Sequence, residues 1–194
     1  MSIHSTSVRR AVIAAAADRA DAGGGDLAEF EVLVAARWTM LHRTAYLLTG
    51  DNGLAQDLAQ STLAAAYAHW GKVVRARNVD GYLHRILVNT HLSRLRRRRV
   101  QEVALDIRPE GSDAATADFA ADIAWRVTVN QALDALPPRQ RAVLVLRFWS
   151  DMTEAQTAET LGCSVGNVKS QTFKALAKLR LDPTLQRDHM EARL

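Results

Sequence analysis

Apolar residues in the first half of the chain recur at three- and four-residue steps, the spacing that lines one face of an α-helix. Leu27, Phe30, Leu33, Val34, Trp38, Leu41, Ala45 and Leu48 form the first stripe. Thr49-Gly50-Asp51-Asn52-Gly53 breaks it with turn-forming residues. A second stripe, Leu54, Leu58, Thr62 and Ala65, predicts a helix from about Leu54 to Trp70. Residues 71–79 read as a loop, and Asp80 is placed to cap a third helix that runs to about Arg99.

The period lapses over residues 100–124, which contain Pro109, Gly111 and Ser112 and read as a linker. It resumes in helices expected at 124–136, 139–149, 153–161 and 165–180, divided by Pro137-Pro138 and by a turn at Gly162-Cys163-Ser164. Residues 1–26 are an N-terminal extension. Its Ala-rich stretch from Val8 to Ala22 suits a helix that Gly23-Gly24-Gly25 would stop; a mobile tail and a partner-binding helix both fit. The expectation is an all-α chain. Two small helical domains, 27–99 and 125–181, are joined by a flexible acidic linker at 100–124 and followed by a tail at 182–194.

Composition agrees with this picture. The residues are 48% apolar, enough for a buried core, with only four prolines to interrupt helices. The net charge of +4 matters less than its distribution. Residues 94–99 read Arg-Leu-Arg-Arg-Arg-Arg, whereas residues 101–122 carry Glu102, Asp106, Glu110, Asp113, Asp118 and Asp122 against the single base Arg108. That segregation suggests a polyanion-binding face beside a negative tether. The only cysteine, Cys163, rules out an intramolecular disulfide and a cysteine-based metal cluster; a small turn-packing role suits it better than a reactive one. His42, His69, His84 and His91 show no ligand spacing and read as structural histidines. No paired carboxylates or nucleophile constellation is evident, so an enzyme, a cofactor and a small-molecule substrate are not expected. The start of the chain lacks a signal-peptide pattern, and no apolar run approaches the ~20 residues that would span a bilayer. A cytoplasmic protein without membrane insertion is expected.

The last two helices form a helix-turn-helix. Thr153 can cap the first, Gly162 supplies the positive φ of a tight turn, and Ser164 can cap the second. At 100° per residue, Val165, Val168, Thr172, Ala175, Leu176 and Leu179 gather on the packing side of the last helix. Asn167, Ser170 and Lys174 lie opposite, flanked by Gln171 and Lys178, on the side that would enter a major groove. Lys174 can reach guanine or phosphate, and Gln171 and Asn167 can pair with adenine edges. Ser170 suits either kind of base. Lys169, Arg147 and Arg180 are better placed for phosphate. Phe173 is expected on the exposed half, against a thymine methyl or a sugar, or else covering a neighbouring helix.

In the helix at 80–99, Leu83, Ile86, Leu87 and Thr90 share one face, and Arg85, Asn89, Leu92 and Arg96 the other. Its terminal arginines exceed what helix-dipole capping needs. They should bind DNA non-specifically with steep salt dependence. The preceding loop, with Arg75, Arg77 and Asn78, is basic as well and could hold an unstacked base. Flipping a base costs a few kcal/mol, which contacts to its edge must offset.

Three motifs together resemble a family. Leu136-Pro137-Pro138-Arg139-Gln140-Arg141-Ala142-Val143-Leu144 followed by Leu161-Gly162-Cys163-Ser164-Val165-Gly166-Asn167-Val168-Lys169-Ser170-Gln171 is similar to region 4 of extracytoplasmic-function sigma factors, especially the actinobacterial SigE-like subfamily. Leu47-Leu48-Thr49-Gly50-Asp51 with the run Asp57 to Tyr67 resembles regions 2.1 and 2.2. The run Tyr82 to Thr90 with the arginines resembles regions 2.3 and 2.4. The resemblance spans about residues 27–181.

It implies a sigma-70-type factor that binds core RNA polymerase. Asp57, Gln60 and Leu63 would meet the β′ clamp helices, and the C-terminal domain would dock on the β flap. Residues 71–79 with Arg75, Arg77, Asn78, Arg85, Asn89, Arg96 and Arg97 would melt and read the −10 element. Asn167, Lys169, Ser170, Gln171, Phe173 and Lys174 would read the −35 element. Many members are held by an anti-sigma factor, and the apolar surface left for polymerase would suit one. Three positions depart from the family pattern: Ser61 stands where glutamate is common, Gln171 where the wider family has arginine, and Asn167 where threonine is usual. A LuxR-type regulator, or a sigma-derived helical interaction protein, is the rival reading; the former would require a sensor domain upstream of the helix-turn-helix.

Overall fold

The computed structural model describes residues 24–105 and 129–181, and every regular element among them is helical. The predicted helix at 8–22, most of the linker, the start of the helix at 124–136 and the C-terminal tail lie outside the described residues.

The N-terminal unit is built from α1 (Gly24–Thr49), α2 (Asn52–Ala68), the single turn α3 (Trp70–Val73) and α4 (Val79–Leu105). Most of the apolar stripe of α1 faces inward as its spacing predicts, with Phe30, Leu41, Ala45 and Leu48 buried and Leu33, Val34 and Trp38 packed against the core, whereas Leu27, in the first turn, is exposed. Gly24 and Gly25, expected in a flexible joint, are the first residues of α1. At the other end Gly50 turns the chain at φ +76°, a left-handed value that favours glycine. Asp51 then caps α2 by accepting from the Leu54 N–H at 2.7 Å. The α2 helix is broken at His69, one residue before its expected end. Trp70 and Val73 of α3 are buried, so the loop leading to α4 begins only at Val74. Phe30 meets the rings of Tyr67 and Trp70 edge-on at centroid distances of 4.9 and 5.4 Å, joining the start of α1 to the end of α2.

The cap of α4 differs from the expected one. Asn78, not Asp80, accepts from a first-turn N–H, that of Gly81 at 2.9 Å. Asp80 lies inside the first turn and pairs with Arg37 of α1 at 2.5 Å. The helix also runs on to Leu105, because residues 100–105 carry helix-compatible side chains and no breaker before Pro109.

The C-terminal unit comprises a helical segment at 129–134, α5 (Pro138–Leu144), α6 (Glu154–Leu161) and α7 (Val165–Arg180). Pro138 opens α5 at a position where its missing N–H costs nothing. The helix widens into a π turn over Val145–Trp149, closed by the Ser150 N–H on the Val145 carbonyl at 3.0 Å.

The two units share one core. Leu136, Leu144, Val145, Leu146 and Met152 pack in the same cluster as Leu48, Leu58 and Leu87. Arg141 is the polar hub of the seam. Its Nη1 donates to the Leu48 carbonyl at 2.9 Å, its Nε donates to the Leu133 carbonyl at 2.8 Å, and its Nη2 pairs with Asp134. Burial lowers its pKa to about 10, which leaves it cationic at neutral pH. Asn130 donates to the Gly50 carbonyl at 3.2 Å. A side chain on Gly50 would come within 2.9 Å of the Asp134 carboxylate, so this turn is shaped by its docking partner as well as by its φ.

His84 completes the seam. Its Nδ1 can only donate to the Asp80 carbonyl (2.8 Å), so Nε2 accepts from the Ser150 hydroxyl (3.1 Å). Burial holds its pKa below the usual value, consistent with that neutral form.

Candidate nucleic-acid interface

The C-terminal interface rests on local devices that fix α6 and α7. Thr153 Oγ1 accepts from the Gln156 N–H at 3.2 Å, and Gln156 Oε1 accepts from the Thr153 N–H at 2.8 Å. This reciprocal capping box was readable as Thr-x-x-Gln before an apolar helix. Gly162 adopts φ +61°, ψ +44°, and the Cys163 N–H returns to the Ala158 carbonyl at 3.0 Å. A Cβ at Gly162 would meet nothing within 4 Å, so backbone conformation alone demands glycine there. Ser164 caps α7 by accepting from the Asn167 N–H at 3.2 Å.

Val168 and Ala175 are fully buried and anchor α7 against the unit, with Leu176 and Leu179 half-buried beside them. Val165, the first residue of α7, falls outside this anchor and is 39% exposed. Asn167, Lys169, Ser170, Lys174 and Lys178 are exposed and Gln171 is half-buried. Phe173 is 74% exposed, which removes the reading in which it covers a neighbouring helix. Lys169 is paired with Glu154, the first residue of α6, at 3.6 Å.

The N-terminal interface is the outer face of α4 and the loop before it. Leu83, Leu87, Val88, His84 and His91 are buried, while Arg85, Asn89, Arg96, Arg97 and Arg98 are exposed. Leu92 is half-buried against the core rather than part of the outer face, one helical turn beyond the buried Val88. Arg94 also turns away from the outer face, donating to Ser61 Oγ at 2.6 Å and tying α4 to α2. Arg75 and Arg77 stand exposed on the loop, next to Val74 at 49% exposure. Asn78 is exposed too, but its side-chain oxygen is engaged as the α4 cap.

His91 has a pKa lowered to about 4, first by burial and then by the charges of Arg141 and Arg94. It therefore adds no charge to the basic face at neutral pH.

Of the three residues expected to meet polymerase, Asp57 is exposed and Gln60 half-buried. Leu63 is fully buried. It lies on the inner face of α2 with Ala59 and Ala66, so it packs the core and has no surface to offer a partner.

Among the described residues no group of three or more His, Cys, Asp or Glu could hold a metal ion. Among the same residues no helix is long and apolar enough to cross a membrane.

Both units match models of one protein family. Residues 33–101 match the family model of Sigma-70 region 2, and residues 126–179 that of Sigma-70, region 4. The RNA polymerase sigma-E factor of Streptomyces antibioticus is 40% identical over 156 residues, covering 80% of this chain and 85% of the relative. The ECF RNA polymerase sigma factor SigM of Mycobacterium tuberculosis is 34% identical over 157 residues, covering 80% and 77%. Among solved structures, the sigma factor RpoE in complex with the anti-sigma factor NepR from Bartonella quintana superposes with a TM-score of 0.69 at 25% identity, over 81% of this chain and 97% of that one. The region 2 match falls where a LuxR-type regulator would need its sensor domain, which removes that rival reading.

Proposed function

The chain belongs to the sigma-70-type RNA polymerase sigma factors, on the SigE-like extracytoplasmic-function branch, and from that premise we propose how its two units divide the work of promoter recognition. The α7 helix reads the −35 element in the major groove. Asn167, Ser170, Gln171 and Lys174 face base edges, Phe173 faces a thymine methyl or a sugar, and Lys169 faces phosphate. The outer face of α4 and the loop at 74–78 engage the −10 element. Arg85, Arg96 and Arg97 neutralise phosphates there. Arg75, Arg77, Asn89 and the free amide nitrogen of Asn78 surround a base taken out of the stack. The carrying observation is the exposure of both polar faces on one chain, each backed by a buried apolar face.

Promoter opening needs no chemistry from this chain. Selective binding of unstacked bases shifts an opening equilibrium that the duplex already has. The protein is accordingly a non-catalytic, cytoplasmic specificity subunit. The exposed outer side of α2, with Asp57 and Gln60, meets the β′ clamp helices, and the C-terminal unit docks on the β flap. The structural relative captured with NepR supports an anti-sigma factor as a further partner.

The docked arrangement sets a condition on this function. Positions −35 and −10 are about 85 Å apart along a duplex at ~3.4 Å per base pair. A compact body of the described size has a radius of gyration of about 14 Å. Both elements cannot be engaged until the seam at Arg141 opens, so polymerase must hold the two units apart.

In-vitro transcription with purified core polymerase and genomic DNA tests the proposal. Co-elution with core enzyme and discrete new transcripts are expected; failure of both would end it.

A further inference from the structure

We propose that Glu154 is an affinity-limiting residue of the helix-turn-helix, a carboxylate that holds Lys169 in the free protein and must release it before a DNA phosphate can be bound. The inference rests on α7 being the −35 reader and adds a residue outside the recognition helix to that site.

Three observations on α6 and α7 carry it. Lys169 Nζ lies 3.6 Å from Glu154 Oε2, so the lysine best placed for phosphate is already paired. Lys174, on the same exposed face, pairs with no acid among the described residues. Glu154 is the first residue of α6, and the capping box on Thr153 and Gln156 satisfies the adjacent N–H groups without using its carboxylate. An acid in a first turn is favoured by the helix dipole, but that does not account for a reach across to the recognition helix.

DNA docking brings these groups into conflict. In a helix-turn-helix the first helix crosses the DNA backbone, and a helix N-terminus is a natural phosphate site. A phosphate arriving at the start of α6 would find the cation it needs, Lys169, with a carboxylate alongside it. Attraction to one and repulsion from the other partly cancel. The C-terminal unit is thereby kept a weak binder. Occupancy then depends on the effective concentration that the second reader and polymerase provide. A free chain would leave promoters vacant.

The test uses the full chain and a duplex of about 30 base pairs from the −35 region of a promoter that the reconstituted holoenzyme transcribes. Affinity is read by fluorescence anisotropy across a salt series. Glu154→Gln should bind about three- to tenfold more tightly at low salt, with the log–log salt slope steeper by up to about 0.9, the value of one more phosphate neutralised. In a Lys169→Met background the same substitution should have no more than about a twofold effect. Glu159→Gln removes an equal charge from the exposed side of α6 and should also stay within about twofold.

An unchanged or weaker affinity for Glu154→Gln, with an unchanged melting temperature, would overturn the inference. So would an equal gain with and without Lys169. If Lys169→Met and Lys174→Ala each left binding as it was, the −35 reading itself would fail, an outcome separate from the role of Glu154.

Discussion

The two DNA-facing helices differ in how their charge is deployed. The α4 helix carries four consecutive arginines, of which Arg96, Arg97 and Arg98 stand in solvent. The α7 helix carries two central lysines, one of them restrained by an acid, among neutral side chains suited to base edges. Charge without hydrogen-bond patterning gives affinity for any duplex, whereas patterning with little charge gives discrimination and weak binding. Each helix is rich in what the other has little of, which fits a factor whose two readers work only when polymerase positions both.

The first way to break this comparison is to loosen the seam between the units. Arg141→Met should cost about 3 kcal/mol or more in chemical denaturation, since it strands Asp134 and two carbonyls. Asp134 is half-exposed, which places the cost near the lower end. Hydrogen exchange should show the loss concentrated in α5 and at the end of α1, with α2 still protected.

Acid should act on the same seam. His91 has a native pKa near 4 against 6.5 in the unfolded chain, so its contribution is complete above pH 6.5 and is lost as pH falls toward 4. Up to about 3 kcal/mol is at stake over that window. His91→Gln should flatten this part of the stability profile relative to the wild type; an unchanged slope would place the acid sensitivity in the carboxylates.

Lys174→Ala sharpens the comparison at the reading face. It should weaken promoter binding by about 1–3 kcal/mol and relax −35 preference if Lys174 meets a base. Retained preference would assign it to phosphate. Thr153→Ala removes one half of the capping box and should lower stability by about 1 kcal/mol in thermal unfolding, without touching α4.

Much of this was legible because it is local. Thr153, Gly162 and Ser164 declare the helix-turn-helix within a dozen residues, and the stripes of α1 and α7 follow from helical spacing. What escaped depends on contacts across the fold. Leu63 was expected at a surface because its helix carries a partner-binding face, yet its angular position puts it between Ala59 and Ala66 in the core. Arg94 belongs to the arginine run by sequence but turns to Ser61, 33 residues away. The hydrogen bond from Arg141 to Leu48 joins residues 93 apart, and no period could announce it. The Asn78 cap was hidden by a nearby acid, Asp80, of equal capping propensity.

The most direct test of unequal readers is the salt dependence of promoter binding by the reconstituted holoenzyme, on the native fragment and on one with the −35 element replaced. Arg96→Ala with Arg97→Ala should weaken both fragments alike and make the log–log salt slope shallower by up to about 1.8. Lys174→Ala should narrow the gap between the fragments and leave the slope nearly unchanged. The opposite assignment, discrimination lost with the arginines and slope lost with the lysine, would contradict this division of roles.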